Sequence, residues 1–186
     1  MSSSSPSPWE QLTESQLVAR SQEGDKEAFG ELVRRYQRLV VGIAYRMSGD
    51  ASLAEDAAQD AFLRAWRQLS RFQYRGRGSF RAWLCRIVTN ITTDRLRRAR
   101  PMVSLDALSL PGGPGPDETY LRNEEAQRVR EAVLRLPEAS RAALILREYE
   151  GLTYREIAEA LNIPLGTVMS RLNYARKKLR QELRGQ

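Results

Sequence analysis

Residues 153–180 read TYREIAEALNIPLGTVMSRLNYARKKLR, and the spacing within this stretch decides the fold class. Thr153 and Glu156 stand in the T-x-x-E arrangement in which each side chain satisfies the other residue's backbone N–H, so a short helix starts here with Ile157, Ala158 and Leu161 on its inner face. Ala158 falls where two crossing helices approach most closely, and Asn162 falls at the turn, where a residue tolerant of positive φ is wanted. Pro164 suits the first turn of a second helix. In that helix Val168, Leu172, Ala175 and Leu179 follow an i, i+4, i+7, i+11 spacing and form one buried stripe. Thr167, Ser170, Arg171, Tyr174 and Lys178 face outward, with Met169, Asn173, Arg176 and Lys177 beside them. This is a helix-turn-helix pattern whose outer face carries groups able to meet base edges and phosphates in a major groove.

The charge distribution points the same way. Of the 186 residues, 30 are Lys or Arg and 23 are Asp or Glu, a net charge of +7. Residues 165–186 hold Arg171, Arg176, Lys177, Lys178, Arg180 and Arg184 against Glu182 alone, and residues 80–100 hold Arg81, Arg86, Arg95, Arg97, Arg98 and Arg100 against Asp94 alone. Two basic surfaces on an otherwise slightly acidic chain imply two separate phosphate contacts.

A Pro/Gly-rich run, LPGGPGPD at 110–117, can neither form a helix nor pack a core, so residues 101–119 read as a flexible linker between two helical halves. Residues 1–11 have neither a basic start nor an apolar run and read as a disordered tail, not a secretion signal. The stretch from about Glu182 does not read as the start of a further regulatory domain. No stretch is apolar and long enough to span a membrane, and the single cysteine, Cys85, reads as a small core residue in a chain suited to a reducing cytoplasm.

With no histidine and one cysteine, the usual zinc-ligand sets and any His-based acid–base arrangement are excluded, and there is no glycine-rich phosphate loop. No cofactor is expected and the chain does not read as an enzyme. A carboxylate-only metal nuclease remains conceivable through Glu55, Asp56 and Asp60, whose other readings are a solvated acidic face and a protein-docking surface.

In the N-terminal half, Thr13 and Gln16 have capping-box spacing at the head of a helix over 12–22, and Asp25 caps a second helix running to about Met47 with Phe29, Leu32, Val33, Tyr36 and Val40 inward. Ser52 and Glu55 start a third, with Ala58, Phe62, Ala65 and Leu69 inward and Asp56, Gln59, Asp60 and Arg64 outward. The basic, aromatic segment RFQYRGRGS follows at 71–79, with Gly76 and Gly78 loosening it and Ser79 capping the next helix. Along that helix Phe80, Leu84, Ile87 and Ile91 make a buried stripe, while Arg86, Asn90, Thr93 and Arg97 make a polar one with the same spacing. Arginine meets backbone phosphate, an amide reads a base edge, and aromatic rings such as Phe72 and Tyr74 can stack on unpaired bases; the other reading of those rings is core packing.

Three blocks in order, AEDAAQDAFLRAW at 54–66, SFRAWLCRIVTNITTDRLRR at 79–98 and YEGLTYREIAEALNIPLGTVMSRLNYARKKL at 149–179, resemble bacterial sigma factors of the extracytoplasmic-function group of the sigma-70 family. The resemblance spans about residues 12–183. It implies an all-α chain of two small helical domains: region 2 over 12–100, which joins core RNA polymerase and opens the minus-ten element, and region 4 over 120–186, which reads the minus-thirty-five element. It implies that Asp56, Gln59, Asp60 and Arg64 meet the clamp helices of the largest polymerase subunit, and that region 4 meets the flap of the second-largest. Phe72, Tyr74, Arg75 and Arg77 would border the pocket of a flipped minus-ten base that Asn90 helps to recognise, with Arg86, Thr93 and Arg97 along the same strand. Thr167, Ser170, Arg171, Tyr174, Arg176 and Lys178 would contact the minus-thirty-five duplex, although Met169 and Tyr174 stand where some relatives carry arginine. An anti-sigma factor is the implied regulator. A conventional helix-turn-helix regulator would account for residues 121–183 but not for the first half.

Overall fold

The computed structural model describes residue 9 and residues 11–76, 78–99 and 118–184, the last span with side chains from residue 124. Its helix boundaries follow from the caps. The Thr13 hydroxyl accepts the Gln16 N–H at 3.3 Å and the Gln16 carboxamide accepts the Thr13 N–H at 2.9 Å, which opens α1 (Glu14–Gln22). Asp25 accepts from the N–H groups of Glu27 and Ala28 and opens α2 (Lys26–Ser48). The next helix, α3 (Ala51–Gln68), begins earlier than the Ser52/Glu55 spacing predicts, because Asp50 is its cap and accepts the Leu53 N–H at 3.0 Å. Gly49 ends α2 with φ 75° and turns Asp50 directly into that position.

After a 3-10 turn at Leu69–Arg71 the chain reaches α4 (Ser79–Ala99). Ser79 is the first residue of this helix and does not cap it; its hydroxyl instead accepts the Arg75 N–H at 3.2 Å and folds the preceding loop back. The C-terminal half comprises α5 (Glu118–Leu134), α6 (Glu138–Glu148), α7 (Tyr154–Leu161) and α8 (Leu165–Arg184). The expected linker over 101–119 lies outside the described residues up to 117, and α5 begins within its last two positions. Of the expected 1–11 tail only Trp9 and Gln11 are described, and Trp9 is not loose: its indole N–H donates to Glu27 at 3.0 Å and Arg20 lies over its ring.

Among the described residues every regular element is helical. In the N-terminal bundle α2 packs on α1, α3 and α4. Five buried alanines along α3, Ala54, Ala57, Ala58, Ala61 and Ala65, let its neighbours approach closely, and Phe80, Leu84, Ile87 and Ile91 supply the buried stripe of α4. In the C-terminal half α8 is held by α5, α6 and α7, with Val168, Leu172 and Ala175 buried.

The halves are docked on each other. Helix α7 packs against α4, and α5 and α6 pack against α2, so that buried side chains from Leu17 to Leu172 form one continuous cluster. This explains a departure from the sequence-predicted face of α7: Ile157 and Ala160 are its buried residues while Ala158 and Leu161 are half-buried, because a second helix covers the side that carries Ala160.

Candidate nucleic-acid interface

Three surfaces carry the residues singled out by sequence. The first is the outer face of α3, where Asp56, Gln59, Asp60 and Arg64 are all exposed. Asp56 and Asp60 sit one turn apart and would repel each other, but Arg95 of α4 reaches both, at 3.5 Å and 2.5 Å. The acid patch therefore touches the basic helix instead of standing apart from it. Among the described residues no group of three His, Cys, Asp or Glu side chains is placed to hold a metal ion. Leu63, 55% exposed, belongs to the same face and the sequence reading passed over it. Its position three residues after Asp60 and four after Gln59 was the signal.

The second surface is the outer stripe of α4. Arg86, Asn90 and Arg97 are exposed and Thr93 is half-buried, while the two flanking faces of the helix are buried. A solvent-facing amide is thus set between two arginines on a rigid element. The loop before α4 divides its residues. Phe72 packs against Trp83 at 4.7 Å and Phe80 at 5.8 Å between ring centroids, and Phe80 meets Tyr36 at 5.4 Å, so Phe72 is half-buried in an aromatic cluster that fixes the loop. Gln22 adds hydrogen bonds to the carbonyls of Leu69 and Phe72. Tyr74 is half-buried, Arg75 is exposed and Arg77 lies outside the described residues. Gly76 and Gly78, at φ 109° and 86°, take the backbone through conformations that disfavour a side chain.

The helix-turn-helix forms the third surface. Thr153 and Glu156 make the capping box in both directions, at 3.3 and 2.7 Å, and Asn162 turns the chain in the left-handed region with φ 52°. Pro164 stands just before α8, where its carbonyl accepts from the N–H groups of Thr167 and Val168. Ser170, Tyr174 and Lys178 are exposed, and Thr167 and Arg171 are half-buried. Arg176 is turned toward α6: its guanidinium donates to Glu148 at 2.7 Å and to the Tyr154 hydroxyl at 3.3 Å, and the hydrogen bond it donates to Glu148 leads the effects that raise its pKa.

One buried group, Cys85, and one half-buried group, Tyr36, complete the electrostatics. Desolvation pushes the Cys85 thiol up to about 12, which makes it unreactive while it stays covered. Burial likewise leads the effects that raise the Tyr36 hydroxyl, whose proton is donated to Glu14.

This layout matches known families. The profile of Sigma-70 region 2 matches residues 32–101 and that of Sigma-70, region 4 matches residues 126–179. The RNA polymerase sigma-H factor of Pseudomonas aeruginosa is 40% identical over 93% of this chain and 95% of its own length. The ECF RNA polymerase sigma-E factor of Escherichia coli K12 is 39% identical over 91% and 94%, and the ECF sigma factor SigW of Bacillus subtilis 34% over 90% and 95%. The chain belongs to the extracytoplasmic-function sigma factors of the sigma-70 family. Its whole arrangement, both halves included, resembles the solved structure of CnrH in complex with the cytosolic domain of CnrY, with a TM-score of 0.69 at 28% identity, covering 91% of this chain and 96% of that one. Among the described residues no helix is long and apolar enough to cross a membrane.

Proposed function

We propose that this chain is a cytoplasmic promoter-specificity subunit without enzymatic activity of its own. It docks on core RNA polymerase through α3, captures an unpaired minus-ten base with α4 and reads the minus-thirty-five duplex with α8. The observation that carries this reading is the presence, on one chain, of an exposed amide between arginines on α4, an exposed basic face on α8 and an acidic face on α3. Extruding a base from the duplex costs a few kcal/mol, so a site that holds it drives opening without ATP. Asn90 supplies the base-edge contact and Arg86 and Arg97 hold the phosphates on either side. Asp56, Gln59 and Asp60, with Leu63 as an apolar anchor, meet basic clamp helices of the largest polymerase subunit. The relatedness to CnrH, solved with the cytosolic domain of CnrY, supports control by a partner that binds the two helical halves together.

The test is run-off transcription from a pool of genomic fragments with purified core polymerase, with and without this protein, followed by mapping of the starts. Starts that appear only with the protein and share two upstream elements are expected. Active core that gains no new starts would overturn the reading in favour of a regulator that binds duplex DNA on its own.

A further inference from the structure

Helix α1 carries none of the exposed faces assigned above, yet its last residue reaches the loop that leads into α4. Gln22 is exposed at the end of α1, and its amide nitrogen donates to two carbonyls far along the chain, Leu69 at 3.0 Å and Phe72 at 2.7 Å. The nitrogen has two hydrogens, one for each carbonyl, and two carbonyl acceptors admit only this orientation of the amide. The bonds hold the first residue of the 3-10 turn Leu69–Arg71 and the residue that follows it, and the Phe72 N–H closes the same turn onto the Leu69 carbonyl at 3.0 Å.

Neither helix needs this side chain for itself. Helix α1 is ended by backbone bonds from Glu23, Gly24 and Asp25, and Leu69, 1% exposed, is already fixed by burial. What Gln22 adds is a hold on Phe72, where the chain leaves the bundle. Further on, Gly76 and Gly78 have open space around them and left-handed φ values, so close packing does not restrain the backbone there. The other hold is the Arg75 N–H, which donates to the Ser79 hydroxyl at 3.2 Å. Gln22 thus secures one end of the loop 72–75 and Ser79 the other, with only Gln73 and Tyr74 between them.

That loop stands at the head of the polar stripe. The Phe72 ring lies 4.7 Å from Trp83, and Trp83, Arg86 and Asn90 follow each other at i, i+3 and i+7 along one line of α4. Asn90 is therefore about 10 Å along the helix from the point where the loop is seated. A loop ordered in advance spares the entropy of ordering it when a ligand arrives, and the benefit appears as tighter capture.

We propose that Gln22 is a positioning residue for capture of the unpaired minus-ten base, acting through the Phe72 carbonyl to hold the loop 72–75 in place beside the Asn90 stripe. This rests on the base-capture reading above. The test uses holoenzyme assembled from purified core polymerase and the full-length protein. Its affinity is measured for fluorescent single strands carrying the minus-ten element of a mapped promoter, intact and with each base removed in turn. For the wild type, one abasic position is expected to weaken binding most, and that position marks the captured base. Gln22→Met keeps the length of the side chain and removes its donors. It is expected to reduce the ratio of intact to abasic affinity at that position about three- to tenfold, with core binding and helicity unchanged. The ratio cancels any general loss of affinity or stability, so a merely structural role would leave it alone. Gln22→Lys restores donors at similar reach and is expected to bring the ratio back toward wild type. An unchanged ratio in Gln22→Met, or a lysine variant as poor as the methionine one, would overturn the role of Gln22 and leave base capture standing. A wild type for which no abasic position matters would remove base capture itself, and the role of Gln22 with it.

Discussion

The guanidinium of Arg95 on α4 lies 2.5 Å from Asp60 and 3.5 Å from Asp56 on α3, so the acidic face of α3 is already engaged by the chain's own arginine. All three side chains are substantially exposed, and ion pairs of this kind contribute about 0–1 kcal/mol. In the proposed docking on core polymerase, a basic clamp surface would displace Arg95 at little cost, with Arg95 as a weak competitor. Arg95→Gln should tighten core polymerase binding about two- to fivefold at low salt, measured by fluorescence anisotropy, whereas Asp60→Arg should weaken it at least tenfold. Weaker binding by Arg95→Gln would place Arg95 itself in the contact.

Asn90 stands exposed on the α4 stripe with Arg86 one turn before it and Arg97 two turns after it. In the proposed role, loss of its amide would remove a base-edge contact without touching the core. Asn90→Ala should slow promoter opening about five- to a hundredfold, as about 1–3 kcal/mol of base discrimination is lost, with core binding unchanged. Opening followed with a fluorescent base at the minus-ten element checks this, and unchanged opening removes Asn90 from the site.

The elements of the fold that sequence exposes are those governed by local rules. Thr13, Asp25, Thr153 and Asn162 announce helix ends because a cap needs only neighbours a few residues away, and the α8 stripe follows from period alone. What period cannot show is a helix covered on two sides. On α4, Thr89 and Thr92 belong to neither the core stripe nor the polar stripe that period picks out, yet both are buried, on a helix against which α7, more than fifty residues away in sequence, also packs. Phe72 was ambiguous for a similar reason: its partners Phe80 and Trp83 are one helix turn apart from each other but reach it only through the loop geometry set by two glycines. For the candidate sites, residue type on an exposed face was legible, while pairing across helices, as at Arg95 and Arg176, was not.

Gly49 shows the cost of a turn between two packed helices. Its φ of 75° disfavours any side chain, and a Cβ would come within 2.8 Å of Leu134 on α5. Gly49→Ala should destabilise the protein by about 1–2 kcal/mol from backbone strain alone. At about 2–4 °C per kcal/mol for a chain of this size, the melting temperature should fall by about 2–8 °C. An unchanged melting temperature would mean that α5 moves aside and the turn relaxes freely.

Glu31 links stability to pH. It is 5% exposed; burial opposes its charge, yet hydrogen bonds and charge from Arg35 and Arg34, at 2.8 Å each, prevail and hold its pKa below the usual 4.5. A carboxylate with a lowered folded pKa stabilises the fold fully above the unfolded value, and that contribution is lost as pH falls through the folded one. Glu31→Gln should therefore melt lower than wild type at pH 7, with the gap shrinking below pH 4.5 as the wild-type carboxyl takes up its proton. A gap that stays constant down to pH 3 would show that the two arginines do not stabilise the charge.

Arg176 and Lys178, two residues apart on α8, should behave as opposites. Lys178 is exposed, whereas Arg176 is committed to Glu148 and Tyr154 and braces α6 against α8. A lysine that neutralises one phosphate contributes about one unit to the slope of log K against log salt. Lys178→Ala should reduce that slope by about 1 for binding to a minus-thirty-five duplex, with the melting temperature unchanged. Arg176→Ala should leave the slope nearly intact and lower the melting temperature by a few degrees, since what it removes is a brace between helices worth about 0–1 kcal/mol as an ion pair. A full unit of slope lost at Arg176 would mean that its guanidinium leaves Glu148 for a phosphate when DNA arrives.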